Sequence, residues 1–443
     1  MLLVFSPIFF NPNFTMRTIA DLHLHSKYSR ATSPQMQVDT LDLWARKKGI
    51  DILATGDFTH PQYLKELKDK LSENGSGLLR LKEITRGHVP TSYNLLPTTF
   101  ALSGEIACIY KDKGQTRRLH ICVLAPDFAT VDKINTTLNK YGCNLKSDGR
   151  PIIGLSAKKL AEVCFEANEK TLVIPAHAWT PWFAIFGSKS GYDSLEECYE
   201  ELTPRIYAIE TGLSSDPAMN WRLSQLDGIT LLSNSDAHSP LNIGREANVF
   251  DMAERTYDAL AEIIKSKDKK KFLYTVEFYP QEGRYHVDGH AKCKFSCSPQ
   301  ESKKKYKNIC PICKKELTLG VEHRVDDLAD RALGFKPANA APYRSLVPLQ
   351  EIVAECLQQG KATKKVQELY EKMLAQKTEF EILLDSTREE IASMSDELVA
   401  EAITRVREGK IVVKPGYDGE YGVVKVFDEA EVEKFIPKQK FLL

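Results

Sequence analysis

The sequence predicts an α/β fold in which parallel strands are buried on both faces, and two patterns predict it. Seven short apolar runs recur between residue 16 and about residue 255, with helix-like stretches between them: IADLHLH, GIDILATGDF, FALSGEIACIY, RRLHICVLAP, TLVIPAHAW, IYAIETG and GITLLSNSDAH. Such a βα alternation implies a barrel or a doubly wound sheet, and both place reactive groups at the carboxyl ends of strands. The second pattern meets that requirement, since polar residues largely end the runs. His23 and His25 close the first, Asp57 closes the second, and Glu105 interrupts the third late. His120 falls inside the fourth, His177 ends the fifth, Glu210 the sixth, and Asp236 with His238 the seventh.

The first run sets Asp21, His23 and His25 at alternate positions, with Leu22 and Leu24 between them. Side chains on a strand alternate faces, so one face is apolar and the other carries the imidazoles. Two histidines on a strand also suit the surface of an exposed antiparallel sheet, and the remaining runs decide between the readings. A multinuclear metal centre needs neutral imidazoles and carboxylates converging on one cavity, with one carboxylate placed to bridge two ions. The chain supplies these types: His23 and His25 grip from one strand, Glu105 is the bridging candidate, and Asp236 with His238 forms a second i, i+2 pair. His120 or His177 alone would read as an ordinary structural histidine; six such strand ends together do not.

At 443 residues the chain suggests two or three domains. Lys plus Arg and Asp plus Glu number 60 each, so no global basic charge points to nucleic acid and any such surface must be local. Residues 1–15 are expected to be a dispensable extension or a start-site artefact ahead of Met16. They lack a basic n-region and a cleavage site and are too short to span a membrane. The barrel candidate covers 16–255. A basic module covers 256–345, with fourteen Lys or Arg against five Asp or Glu between residues 265 and 315. A helical segment covers 346–443, where Val366, Leu369, Tyr370, Met373 and Leu374 fall at helical spacing, a helix runs from about Asp396 to Arg407, and two strands surround a Gly-Tyr-Asp-Gly turn.

Cys293, Cys297, Cys310 and Cys313 cluster in pairs, which argues for a tetrahedral structural zinc site in a reducing compartment, the cytoplasm. Zinc there folds its segment rather than reacting. Lys303, Lys304 and Lys305 follow these cysteines; a lysine run is by itself a solvated face, but one bracketing a metal module suits phosphate contact. Trp179, Trp182, Phe183 and Phe186 follow the PAH strand end, either stacking on bases or roofing the hydrophobic interior.

The order HxH, GD, GE, a histidine in an apolar strand, PAH and SDAH resembles the PHP (polymerase and histidinol phosphatase) superfamily over residues 16 to about 250. The resemblance implies a distorted (βα)7 barrel with two to three divalent ions (Zn2+, Mn2+ or Mg2+) for phosphoester hydrolysis. It implies one ion at His23, His25, Glu105 and Asp236, a second shared by Glu105 with His120 and His177, and a third involving Asp57 and His238. Asp236, Glu105 and His177 would be the catalytic residues. The sequence departs at Gly-Asp-Phe, where many members carry a histidine and this chain has Phe58, with His60 nearby. Adding FYPQEGRYHVDGH, VEHRVDDLADR and PYRSLVPLQEI, nearly the whole chain from Met16 resembles the endonuclease Q family. That resemblance implies a DNA partner, duplex or single-stranded, and incision 5′ to deaminated bases (hypoxanthine, uracil, xanthine) and abasic sites. The rival readings are a histidinol-phosphatase-like small-molecule phosphoesterase, a proofreading-type exonuclease and a non-catalytic DNA-binding scaffold. No motif supports a sliding-clamp partner, and no membrane partner is expected.

Overall fold

The computed structural model describes residues 16–82, 98–428 and 430–431; the expectation for residues 1–15 lies outside them. The strand Met16–Asp21 (β1) pairs in parallel with Ile52–Ala54 (β2), and β2 continues in parallel into the long strand Thr99–Asp112. Two short strands, Leu71–Glu73 (β3) and Leu79–Leu81 (β4), precede that long strand, β5, and pair along its edge. β5 turns directly into Gln115–Ala125 (β6) as an antiparallel hairpin and also flanks the two-residue Ile152–Ile153 (β7). β6 runs antiparallel to Leu172–Pro175 (β8). The amide of Ala178, just past β8, donates to the carbonyl of Glu210, which ends Ala208–Glu210 (β9). β9 pairs in parallel with Thr230–Leu232 (β10), and a bridge from Leu24 to Ala237 brings the chain back beside β1. These pairings return to their starting strand and surround the residues that end the apolar runs.

The fold is therefore mixed α/β around a central sheet, and the expectation of uniformly parallel strands is corrected by β6. Only two residues separate β5 from Gln115, too few for the crossover a parallel return requires, so the chain folds back antiparallel. The sheet also runs past the expected boundary at residue 255. Ala247–Met252 (β11) lies antiparallel to β1, and Phe272–Glu277 (β12) antiparallel to β11. The lysines at 267–271, which read as the opening of a new module, occupy the turn between the helix Tyr257–Ser266 and β12.

The helices follow ordinary end chemistry. Asp127, Ser156 and Thr256 each accept from a backbone amide three residues on, at the starts of Phe128–Lys140, Ala157–Ala167 and Tyr257–Ser266. Beyond the sheet, Asp288–His290 (β13) and Phe295–Cys297 (β14) form the hairpin of the basic module. The segment Tyr343–Ser345 (β15) returns to the sheet beside β12. The helices Leu349–Cys356, Lys364–Leu374, Arg388–Met394 and Glu397–Arg407 then pack together through residues that include Ile352, Val366, Tyr370, Met373, Ile391 and Ile403, all buried in the same core as the sheet. Each such side chain, fully buried, contributes about 1.5–3 kcal/mol. Lys48 of the helix Val38–Lys48 meets Glu379 at 2.8 Å with both side chains buried, tying this segment to the sheet's flank. The terminal hairpin, Val412–Lys414 (β16) with Val423–Lys425 (β17), agrees with the sequence expectation.

Candidate metal centre

Strand ends build the centre. In the β5–β6 ladder Glu105 stands opposite Cys122 and Ala107 opposite His120, so Glu105 and His120 are diagonal neighbours on one face. His120 Nδ1 lies 2.8 Å from Glu105 Oε1, and His177 Nε2, from the end of β8, lies 3.1 Å from the same oxygen. The other oxygen, Oε2, faces a different pair: His25 Nε2 at 3.1 Å and His23 Nε2 at 3.6 Å. Asp236 Oδ1 closes that second group, 3.1 Å from His25 Nε2 and 3.7 Å from His23 Nε2. Glu105 thus reaches two histidine clusters with one carboxylate.

Behind each imidazole of the first strand stands a carboxylate. His23 Nδ1 lies 2.9 Å from Glu210 Oε2, and His25 Nδ1 lies 3.1 Å from Asp57 Oδ1. These partners fix the tautomer and turn each Nε2 into the centre. There His23 Nε2, His25 Nε2 and Asp236 Oδ1 are buried with no hydrogen-bond partner. Three orphaned ligand atoms together are costly unless a cation takes them.

The backbone is held in an uncommon conformation at the same places. Asp57, His177 and Asp236 have φ of 45°, 30° and 47°, the left-handed region that non-glycine residues avoid. Gly212 makes the turn at His177 attainable, because a Cβ there would stand 2.5 Å from that of His177.

Charge follows burial and pairing. Burial pushes Asp236 and Glu105 up, but neighbouring nitrogen groups outweigh it, the His23 and His25 imidazoles for Asp236, and the His120 imidazole and Arg150 guanidinium for Glu105; both carboxyls stay well below their usual range. Burial brings His120 down to about 4, the neutral form a metal ligand requires.

Asp57 stands behind His25, outside both clusters. Its Oδ2 accepts from the Ser26 amide and the Ser26 and Ser29 hydroxyls, and its Oδ1 faces His25 Nδ1. His60 stacks on Tyr28 at 4.3 Å and starts the helix Pro61–Lys70, outside both clusters. His238 lies beside the centre, its ring 4.4 Å from that of His25 and its Nδ1 donating to the Asp236 carbonyl. Glu210 and Arg150 were given no role in the sequence reading. Glu210 was visible as the end of an apolar run, and Arg150, whose Nη1 is 3.0 Å from Glu105 Oε2, carries no periodic signal at all.

The cysteine module gathers a different set from the expected four. His290, Cys293, Cys310 and Cys313 bring ligand atoms within 4.8 Å of one another, whereas Cys297 stands apart. The hairpin register explains it: Cys297 pairs with Asp288 at the open end of β13–β14, while His290 and Cys293 sit at the turn. Trp179 is corrected as well. It is buried, donates from Nε1 to Asn220 and packs on Phe186, so it roofs the interior. Trp182 is half exposed beneath the Arg118 guanidinium, and Phe183 lies against His120. Lys303 is committed to Asp326 and Asp327, while Lys304 and Lys305 are exposed.

Residues 348–410 match the MJ0043 C-terminal domain family. The chain is 33% identical over 262 residues to the uncharacterized protein MJ0043 of Methanocaldococcus jannaschii, a match covering 58% of this chain and only 32% of that protein's length. It is 28% identical over 420 residues to protein YqxK of Bacillus subtilis, covering 92% and 98%. Among solved structures, the lesion-specific endonuclease PfuEndoQ of Pyrococcus furiosus superposes with a TM-score of 0.80 at 30% identity, over 95% of this chain and 99% of that one. The chain belongs to the endonuclease Q family. A second endonuclease Q structure, bound to a 27-mer duplex with an abasic lesion at the active site, superposes with a TM-score of 0.79 at 31% identity, over 97% and 100%. The chain is accordingly an enzyme of the nuclease class, and the strand-end clusters are its candidate metal centre.

Proposed function

We propose that this chain is a metal-dependent DNA repair endonuclease that hydrolyses the phosphodiester 5′ to deaminated bases (hypoxanthine, uracil, xanthine) and to abasic sites, leaving a 3′-hydroxyl and a 5′-phosphate. The observation that carries the reading is Glu105, whose two oxygens face two histidine clusters, one of which, His23 and His25, turns unpartnered nitrogens inward. The endonuclease Q bound to an abasic duplex supports DNA as the partner.

The donors fit divalent cations: His23, His25, Glu105 and Asp236 would hold one, and Glu105, His120 and His177 a second. Bound there, such ions supply Lewis-acid activation of water and neutralisation of phosphate charge. The protein's own groups do the rest. Glu210 and Asp57 hold two imidazoles in the tautomer that presents Nε2, and Glu105 keeps the two clusters in fixed relation. The new bond joins the water oxygen to phosphorus. The bond to O3′ breaks, and the leaving oxygen takes a proton to become the 3′-hydroxyl.

Access to a base in a duplex requires extruding it, which costs least for a damaged or mispaired nucleotide. Trp182, exposed beside the His120 cluster, suits stacking on the opened strand, and Lys304 and Lys305 suit phosphate contact. Zinc at His290, Cys293, Cys310 and Cys313 would fold the basic module, and free thiols with such a site fit a cytoplasmic setting. Among the described residues no helix is long and apolar enough to cross a membrane.

The test uses metal-loaded protein and end-labelled duplexes that differ only in one hypoxanthine, uracil, abasic or normal nucleotide. A cut immediately 5′ of the lesion alone, abolished by Asp236→Asn with DNA binding retained, is the expected result. Cleavage retained in Asp236→Asn contradicts the assigned centre.

A further inference from the structure

We propose that Arg150 is a catalytic residue that binds the non-bridging oxygens of the scissile phosphate, an inference that rests on the endonuclease reading above. Arg150 reaches the centre from the loop before β7, and its Nη1 lies 3.0 Å from Glu105 Oε2. The same oxygen faces His25 Nε2 at 3.1 Å, inside the cluster that would hold the first cation.

The two uses of that oxygen conflict. If Glu105 joined two divalent ions, Oε2 would serve the His23 and His25 side and Oε1 the His120 and His177 side. A guanidinium left beside two such cations is repelled, and at short range in a poorly solvated site that repulsion is large. Arginine keeps its charge in proteins, so it cannot escape by losing a proton. An anion lying between the guanidinium and the cations removes the conflict. A phosphodiester is such an anion, with oxygens spaced for the planar fork of arginine.

The loop that carries the arginine is pinned, which fixes where its side chain enters the centre. The Gly149 amide donates to the Tyr28 carbonyl at 2.9 Å, Thr59 Oγ1 donates to the Gly149 carbonyl at 3.2 Å, and the Arg150 amide donates to Asp148 Oδ1 at 3.1 Å. On the far side the Ala107 amide, two residues from Glu105, donates to the Pro151 carbonyl at 3.0 Å. Glycine is required at 149, since a Cβ there would stand 2.3 Å from both Asp57 Oδ2 and Ser29 Oγ. The loop therefore lies directly on the carboxylate that orients His25.

The open side of the centre agrees. Arg150, Asp236 and His238 are its partly exposed side chains, at 27%, 26% and 30%, whereas Glu105, His23 and His25 are closed from solvent. A phosphate entering from that side meets the guanidinium as it meets the cluster. There the arginine would neutralise charge that grows on the non-bridging oxygens as the water oxygen bonds to phosphorus.

The experiment compares wild type, Arg150→Ala and Arg150→Lys in three readouts: bound metal, cleavage of a lesion duplex, and binding of product strands that differ only in a 5′-phosphate or a 5′-hydroxyl. Arg150→Ala is expected to keep its metal content, to lower kcat by about 100- to 1,000-fold, and to lose a preference for the 5′-phosphate strand of tenfold or more that wild type shows. Arg150→Lys recovers part of both. Loss of bound metal in Arg150→Ala would make the residue a structural partner of Glu105 and overturn the proposal, as would an undiminished 5′-phosphate preference. A wild type that cuts no lesion duplex but keeps an Arg150-dependent 5′-phosphate preference would instead strike the endonuclease reading.

Discussion

At the scale of single residues, the centre works through pairs rather than isolated ligands. His23 is useful because Glu210 holds its Nδ1, and Glu210 in turn accepts from Asn234 at 2.8 Å and from the His177 amide at 3.1 Å. One carboxylate therefore organises both histidine clusters from behind. Glu210→Gln keeps the shape and is expected to weaken metal binding or turnover about 10- to 100-fold while leaving the fold intact. Metal titration with parallel circular dichroism checks this, and unchanged metal affinity would show that His23 needs no anionic partner. The inward-facing histidines and carboxylates that the structure gathers were legible in the sequence because each ends or interrupts an apolar run. Their supports were less so. Asp57 and Glu210 end runs too, and only the neighbouring strand decides whether such a residue faces the cavity or a histidine. Arg150 sits on an irregular loop, where no period exists to read.

At the scale of elements, register decided what spacing could not. The Cys-x3-Cys spacing suggested that both thiols serve one ion, but a hairpin intervenes, and each residue along a strand advances about 3.3 Å. Cys297 is carried to the open end opposite Asp288, and His290 takes its place at the turn. Cys297→Ser is expected to retain one zinc per module, whereas His290→Ala and Cys310→Ser lose it and unfold the hairpin. Elemental analysis of the purified variants separates the two sets; zinc lost from Cys297→Ser and kept in His290→Ala would restore the four-cysteine reading. The β5–β6 hairpin carries the same lesson. Both strands read correctly as apolar runs, yet their antiparallel pairing depended on a turn too short for a crossover, and that pairing brings His120 against Glu105.

At the scale of the whole molecule, the sheet encloses more charge than the centre uses. Glu277 on β12 is buried, with Thr211 and Thr275 donating to it, and neighbouring Glu246 has an unpartnered oxygen. Burial, opposed by the Thr275 hydroxyl, raises Glu277 from 4.5 to about 8. Because the folded value exceeds the unfolded one, its contribution to stability is full below about pH 4.5 and is lost as pH rises toward 8. Glu277→Gln is therefore expected to flatten the fall in melting temperature between pH 5 and 8, as thermal unfolding across that range would register. An equally steep fall in the variant would place the titrating group elsewhere.

The account as a whole turns on Glu105 joining two cation sites. The most direct measurement is the number of divalent ions bound per chain in wild type and in Glu105→Gln, with the variant's fold verified separately. The expected result is two ions in the strand-end centre and one in the cysteine module for wild type, with only the module's ion kept in Glu105→Gln. An unchanged count in the folded variant would contradict the account.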